Sequence, residues 1–164
     1  MSRWSLATFK ESSAVDEIEE LFHGTLPADL LTIVCGDKLG WGHGRHVYIF
    51  KPDPSLVIKF EYEERSFQNV LEWTVWDRIK EAPSVARWFC PIVDVSAGGT
   101  ILLQKRTTPC EDKKLPKMVP AYFTDLKRGN WGLLDGRVVC HDYGTTLLME
   151  EGMTSRMVKA EWWD

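Results

Sequence analysis

Asp125-Leu126-Lys127-Arg128-Gly129-Asn130, with Val138-Val139-Cys140-His141-Asp142-Tyr143-Gly144 shortly after it, is the stretch on which the reading of this chain turns. Between its halves stands Asp135-Gly136, a dipeptide suited to a two-residue hairpin because both residue types tolerate positive φ. Folding the segment back on itself brings Asn130 toward Asp142. Two carboxylates and an amide then flank one place, a donor set suited to a hard cation. Magnesium takes oxygen ligands, keeps several waters and commonly shares one or two carboxylates with a substrate's phosphates. Asn130 and Asp142 are the expected ligands, which leaves Asp125 to act as base.

The chain has 164 residues and a formal net charge of -4. That length suits one well-buried domain, and nothing argues for two independent cores. Acidic and basic residues are interspersed, and Lys113-Lys114 and Lys127-Arg128 are too brief to make a nucleic-acid footprint. The four cysteines, Cys35, Cys90, Cys110 and Cys140, form no Cys-x-x-Cys pair, so reduced thiols in a cytoplasmic protein are expected rather than a zinc site or disulfide frame. The opening Met1-Ser2-Arg3-Trp4 has no apolar signal core, and no apolar run approaches membrane-spanning length. Eight tryptophans are many for this length. They serve as core and tail anchors or, where exposed, mark an interface.

Apolar spacing predicts a helix over Ser13–Phe22, a strand over Leu31–Leu39 and a second over His46–Phe50. Gly40-Trp41-Gly42-His43-Gly44 separates the two strands, and its glycines allow backbone N–H groups to approach phosphate oxygens without Cβ interference. A third strand follows at Leu56-Val57-Ile58-Lys59-Phe60, with Val57 and Lys59 on one face. Residues Glu63–Glu81 read as a helix that Pro83 closes. Glu72 lies there in apolar company, needs a partner and finds the obvious one in Lys59. Strands over Pro91–Val95 and Thr100–Lys105 are joined by a Gly98-Gly99 turn. Thr146–Met157 reads as one helix, after which Ala160–Asp164 packs back.

In order and spacing these motifs resemble the protein-kinase and aminoglycoside-kinase superfamily. Asp125 and Asn130, with four residues between them, are similar to its catalytic loop, and Asp142-Tyr143-Gly144 is similar to its Asp-Phe-Gly. Phe123 stands where the family usually has His. Gly40, Gly42 and Val47 fall in register with the glycine-rich loop, where Arg45 takes the place of the third glycine and Gly44 restores flexibility one position away; Arg45 is within reach of phosphate. Lys59 matches the strand lysine and Glu72 its helix partner.

The resemblance implies an α+β fold: a kinase-like N-lobe of five antiparallel strands and one main helix, with a strongly reduced C-lobe. Residues 1–38 then carry an N-terminal helix and first strand, 39–108 the nucleotide-binding lobe and 109–164 the catalytic and metal loops. Gln104–Thr107 becomes the hinge whose backbone faces adenine. ATP and magnesium are the implied cofactors. Gly40, Gly42, Gly44, Val47 and Lys59 bind nucleotide, Asn130 and Asp142 hold the metal, and Asp125, Lys59 and Glu72 are the catalytic set for γ-phosphoryl transfer to a hydroxyl acceptor. Fewer than twenty residues separate the hinge from Asp125, and only twenty follow Gly144, too few for a full helical lobe. A rival expectation follows: a non-catalytic, kinase-derived binding protein that inhibits or redirects a host or partner protein, as a virus or mobile element would use. A third is an α+β interaction domain with an accidental motif order. A histidine zinc site, a Walker loop and a Gly-x-Ser-x-Gly elbow are disfavoured or absent.

Overall fold

The computed structural model describes residues 26–42, 44–61 and 67–164. The chain divides into two compact units, Met1–Val34 and Cys35–Asp164. In the first, α1 (Leu26–Val34) is the described element. Pro27 sits in its first turn, where an N–H has no intrahelical partner and its loss costs nothing. This helix corrects the first part of the expected strand Leu31–Leu39, residues 31–34; from Cys35 on the chain is extended as expected. The β-branched run Thr32-Ile33-Val34 reads as extended, but Thr32 turns its hydroxyl back to the Asp29 carbonyl at 2.7 Å within helical geometry. The helix expected over Ser13–Phe22 lies outside the described residues.

The second unit is built on a five-stranded antiparallel sheet in the order β1-β2-β3-β5-β4. Its strands are β1 (Cys35–Gly42), β2 (Arg45–Phe50), β3 (Leu56–Glu61), β4 (Ile92–Val95) and β5 (Ile101–Lys105). β3 lies at the centre, and Leu56, Val57, Ile58 and Lys59 are all buried. An unbroken apolar run of this kind suits a strand covered on both faces. Gly40 and Gly42 belong to β1 rather than to a loop, and Gly44 turns the chain with φ 74°.

Between β3 and β4 comes the main helix, α2 (Gln68–Ile79). Asn69, Glu72, Val75 and Ile79 form its buried stripe at three- and four-residue steps. The helix has no side-chain cap of its own. Instead the Glu61 carboxylate, at the end of β3, accepts from the Gln68 amide at 2.6 Å and the Asn69 amide at 3.3 Å. An anion there also complements the positive end of the helix dipole. The helix stops at Ile79, short of the expected Glu81, and Pro83 opens a short one, α3 (Pro83–Ala86), being well suited to a first turn. The architecture is α+β, with one five-stranded antiparallel sheet and few helices.

The remainder is short-stranded: β6 (Thr108–Pro109), β7 (Met118–Pro120), β8 (Trp131–Leu134), β9 (Arg137–Cys140), α4 (Leu148–Glu151) and β10 (Met157–Lys159). β6, β8 and β9 make one sheet, and β7 pairs with β10. Asp135 and Gly136 take φ 50° and 77°, the left-handed pair that a tight β8–β9 hairpin needs. At Gly132 in β8 a Cβ would stand 2.5 Å from Thr107 Oγ1 and 2.9 Å from the Thr108 carbonyl. The single helix expected over Thr146–Met157 is corrected: α4 stops after four residues at Gly152, φ 75°, and Met157 begins a strand.

Phe89 is the hub of the core beneath the loops. Its ring lies 5.8 Å from Tyr122, 4.9 Å from Phe123 and 5.0 Å from Tyr143. Phe123 continues to Trp131 at 4.8 Å, and Trp131 to Trp162 at 5.2 Å. Residues 160–164 thus pack back as expected. The Trp163 amide donates to the Leu126 carbonyl at 3.2 Å, and the Arg128 amide donates in return to the Trp163 carbonyl at 2.8 Å. Among the described residues no helix is long and apolar enough to cross a membrane.

Candidate functional site

Cross-strand register gathers three of the expected nucleotide-binding residues, Gly40, Val47 and Lys59, in one row, while Gly42 pairs with Arg45 and Gly44 lies in the turn. Gly40 pairs with Val47, Val47 with Lys59, and Lys59 with Leu102. Directly paired residues share a sheet face. Lys59 is 2 % exposed and Leu102 0 %. A buried ammonium needs acceptors, and the Lys59 Nζ has two, Glu72 Oε2 at 2.8 Å and the His141 carbonyl at 2.7 Å. The ion pair read from the sequence is therefore formed, between the central strand and α2.

Arg45 joins the same cluster. Its Nη2 donates to Glu72 Oε1 at 2.9 Å and to Asp142 Oδ1 at 2.8 Å, while Nη1 reaches Asn69 Oδ1 at 3.3 Å. Asn69 in turn donates to the carbonyls of Thr100 at 3.1 Å and Lys59 at 3.4 Å. This corrects the expectation that Arg45 reaches for phosphate: the side chain is 6 % exposed and turned inward. Two cations and two carboxylates balance. Burial opposes the charge of Arg45, but Glu72 and Asp142 hold its pKa above the ordinary value. Burial likewise opposes ionisation of Asp142, and Arg45, then Lys59, outweigh it and hold the carboxyl below its usual range.

The hairpin brings the two loops together. The His141 amide donates to the Asn130 carbonyl at 2.8 Å. Asn130 Nδ2 donates to Asp125 Oδ2 at 3.1 Å, and the Lys127 amide to Asp125 Oδ1 at 3.3 Å. His141 lies 3.0 Å from the Gly129 carbonyl through Nε2 and 2.9 Å from the Thr107 hydroxyl through Nδ1. A carbonyl only accepts, so Nε2 carries the proton. Burial, followed by the charge of Lys59, pushes the ring's pKa down to about 4. Tyr143 donates its hydroxyl to the Cys90 carbonyl at 2.9 Å and its amide to Glu72 Oε1 at 3.4 Å. Phe123 packs its ring on Phe89 and Trp131.

The donor set does not suit magnesium in this arrangement. Asp142 Oδ1 faces a guanidinium at 2.8 Å, which repels any cation brought beside it. Among the described residues no three His, Cys, Asp or Glu side chains are grouped to hold a metal ion. At the expected hinge, Lys105 gives its amide to the Pro91 carbonyl at 2.9 Å and Arg106 its amide to Ser55 at 2.8 Å. Those two donors are therefore not presented to a base, contrary to expectation. A cavity of about 550 Å³ lies by Ser55, Lys105, Arg106 and Arg137, and another of about 210 Å³ by Arg87, Trp88 and Pro116. Neither is lined by Lys59, Glu72, Asp125, Asn130 or Asp142.

Sequence reasoning missed Asn69 and Glu61. Asn69 carried a signal, being a polar residue on the apolar stripe of α2 one turn before Glu72; Glu61, a carboxylate at a strand end, carried none. No protein-family model and no curated protein matches the chain.

Proposed function

We propose that the chain is a nucleotide-binding protein of kinase-like architecture, its five-stranded sheet and α2 forming the N-lobe and residues 109–164 a strongly reduced C-lobe. One observation carries this reading. Lys59, Glu72, Asp125, Asn130 and Asp142, named from the sequence, come from separate strands, helix and loops, yet a continuous set of contacts of 3.1 Å or less joins them through Arg45 and the His141 backbone. ATP is the ligand class the motifs favour. Val47 and Gly40, beside Lys59 in the sheet, are the residues to cover its base and phosphates. Phosphoryl transfer to a hydroxyl is the further step of this reading, with Asp125 as the group that takes the proton.

The second reading, a non-catalytic kinase-derived protein acting on a protein partner, is favoured by the inward Arg45 and by the engaged amides of Lys105 and Arg106. Calorimetric titration with a non-hydrolysable ATP analogue separates the two. Binding that is lost in Lys59→Met, with the variant still folded by circular dichroism, supports the nucleotide site. Lack of binding at millimolar analogue supports the non-catalytic protein. Where binding holds, Asp125→Asn is expected to leave it intact and to abolish transfer.

A further inference from the structure

A metal-dependent phosphate site and the surroundings of Arg45 differ in their charge balance. Three elements wall the guanidinium in. β2 carries it, α2 supplies Glu72 and Asn69, and the loop after β9 supplies Asp142. Glu72 is wholly buried, and both of its oxygens are engaged by cations, Oε1 by Arg45 and Oε2 by Lys59. Arg45 and Lys59 already neutralise Glu72 and Asp142. A divalent ion added at Asp142, whose side chain is 45 % exposed, would leave the cluster with two excess positive charges beside the buried Arg45 and Lys59, which Coulomb repulsion disfavours. A guanidinium also differs from a bound ion in that it neither dissociates nor loses its proton. It is fixed to the first residue of a strand that is paired on both sides, opposite Gly42 and Glu61.

We infer that Arg45 takes the place of a divalent cation beside Asp142: it is the built-in counter-ion of Asp142 and Glu72, and the phosphates of a nucleotide bound at this site come without metal. The part concerning phosphate rests on the nucleotide-binding reading; the part concerning Asp142 and Glu72 stands on their contacts with Arg45. Removing the guanidinium vacates the position beside Asp142 and creates a cation site that the native chain does not have.

The test follows free Mn2+ by its paramagnetic resonance signal while the full chain, Asp142→Asn, Arg45→Gln and the double variant are titrated, with circular dichroism to report folding. The native chain is expected to take up Mn2+ no better than Asp142→Asn. Arg45→Gln is expected to gain a site about tenfold tighter or more, which the double variant loses. Native uptake that depends on Asp142 overturns the inference, as does a folded Arg45→Gln without the gain. Should Arg45→Gln fail to fold, the native chain and Asp142→Asn decide between them: equal uptake upholds the inference and weaker uptake by Asp142→Asn overturns it. A parallel ATP titration in EDTA and in magnesium keeps the two readings apart. Equal binding in both is expected, and magnesium-dependent binding overturns the metal-free site. Absence of binding in both counts against the nucleotide reading, and the Mn2+ arm still decides the role of Arg45.

Discussion

The cluster of buried Arg45, Lys59 and Glu72 with half-exposed Asp142, and the buried aromatic core around Phe89, are held together by opposite means. In the aromatic core the gain comes from area and shape, and neighbouring rings accept one another in several tilts, from stacked to edge-on. In the ionic cluster Arg45, Lys59 and Glu72 are withdrawn from water at a cost that only their own partners offset. A buried pair of this kind adds little to stability compared with well-packed apolar residues, but removing one member is expensive. The lesson is that the core tolerates changes of detail, while the cluster tolerates few.

The largest effects sharpen that contrast. Glu72→Ala leaves two buried cations facing each other and is expected to cost about 3–5 kcal/mol, measured by urea denaturation. Phe89→Ala is expected to cost a similar amount, about 3–5 kcal/mol, through lost contacts and a cavity. The milder substitutions distinguish the regions. Phe89→Leu should recover about half of its loss because much of the apolar volume returns, whereas Glu72→Gln should recover little, since the missing quantity is charge. Equal recovery in both would erase the difference between the regions.

A smaller effect is expected at the hairpin that supports the loops. Gly132→Ala forces Thr107 and the Thr108 backbone aside and is expected to cost about 1–3 kcal/mol. Thr107 also accompanies His141, so the substitution should shift the His141 ring signals in proton NMR. The smallest effect is a pH dependence. The folded His141 stays neutral down to about pH 4, against an ordinary value of 6.5. As pH falls from 6.5 the unfolded chain takes up a proton that the folded ring refuses, so stability drops across that window and levels off near pH 4. His141→Gln should flatten the drop in urea midpoints collected from pH 7 to pH 4, and an unchanged slope would locate it elsewhere.

Much of the sheet was legible in the sequence because its strands carry enough residues to express a pattern. The apolar run Leu56–Ile58 ending in Lys59, and the Asp135-Gly136 turn, each point to one local structure. The Lys59–Glu72 pair was readable for a related reason: a carboxylate in an apolar stripe demands a cation, and the adjacent strand offered one. The rest failed for physical reasons that differ from case to case. β6, β7 and β10 have two or three residues each, too few for any period. Thr32-Ile33-Val34 favours a strand by side-chain shape, but the proline before it starts a helix. Arg45 was singled out, yet its direction depends on three partners brought in from α2 and the Asp142 loop, and no local pattern encodes that.

The backbone exchange between Trp163 and the Leu126–Arg128 segment has a practical consequence. The indole is 48 % exposed, and the Lys127 ammonium lies over it, 5.5 Å from the ring centre. Asp125 stands two residues away and takes the Lys127 amide on its own carboxylate. Trp163 is therefore an optical reporter wired to the loop that carries Asp125. Whatever draws that loop toward or away from a ligand changes the water and the positive charge around this one of the eight tryptophans, and the difference in emission between the native chain and Trp163→Phe registers the event without any label.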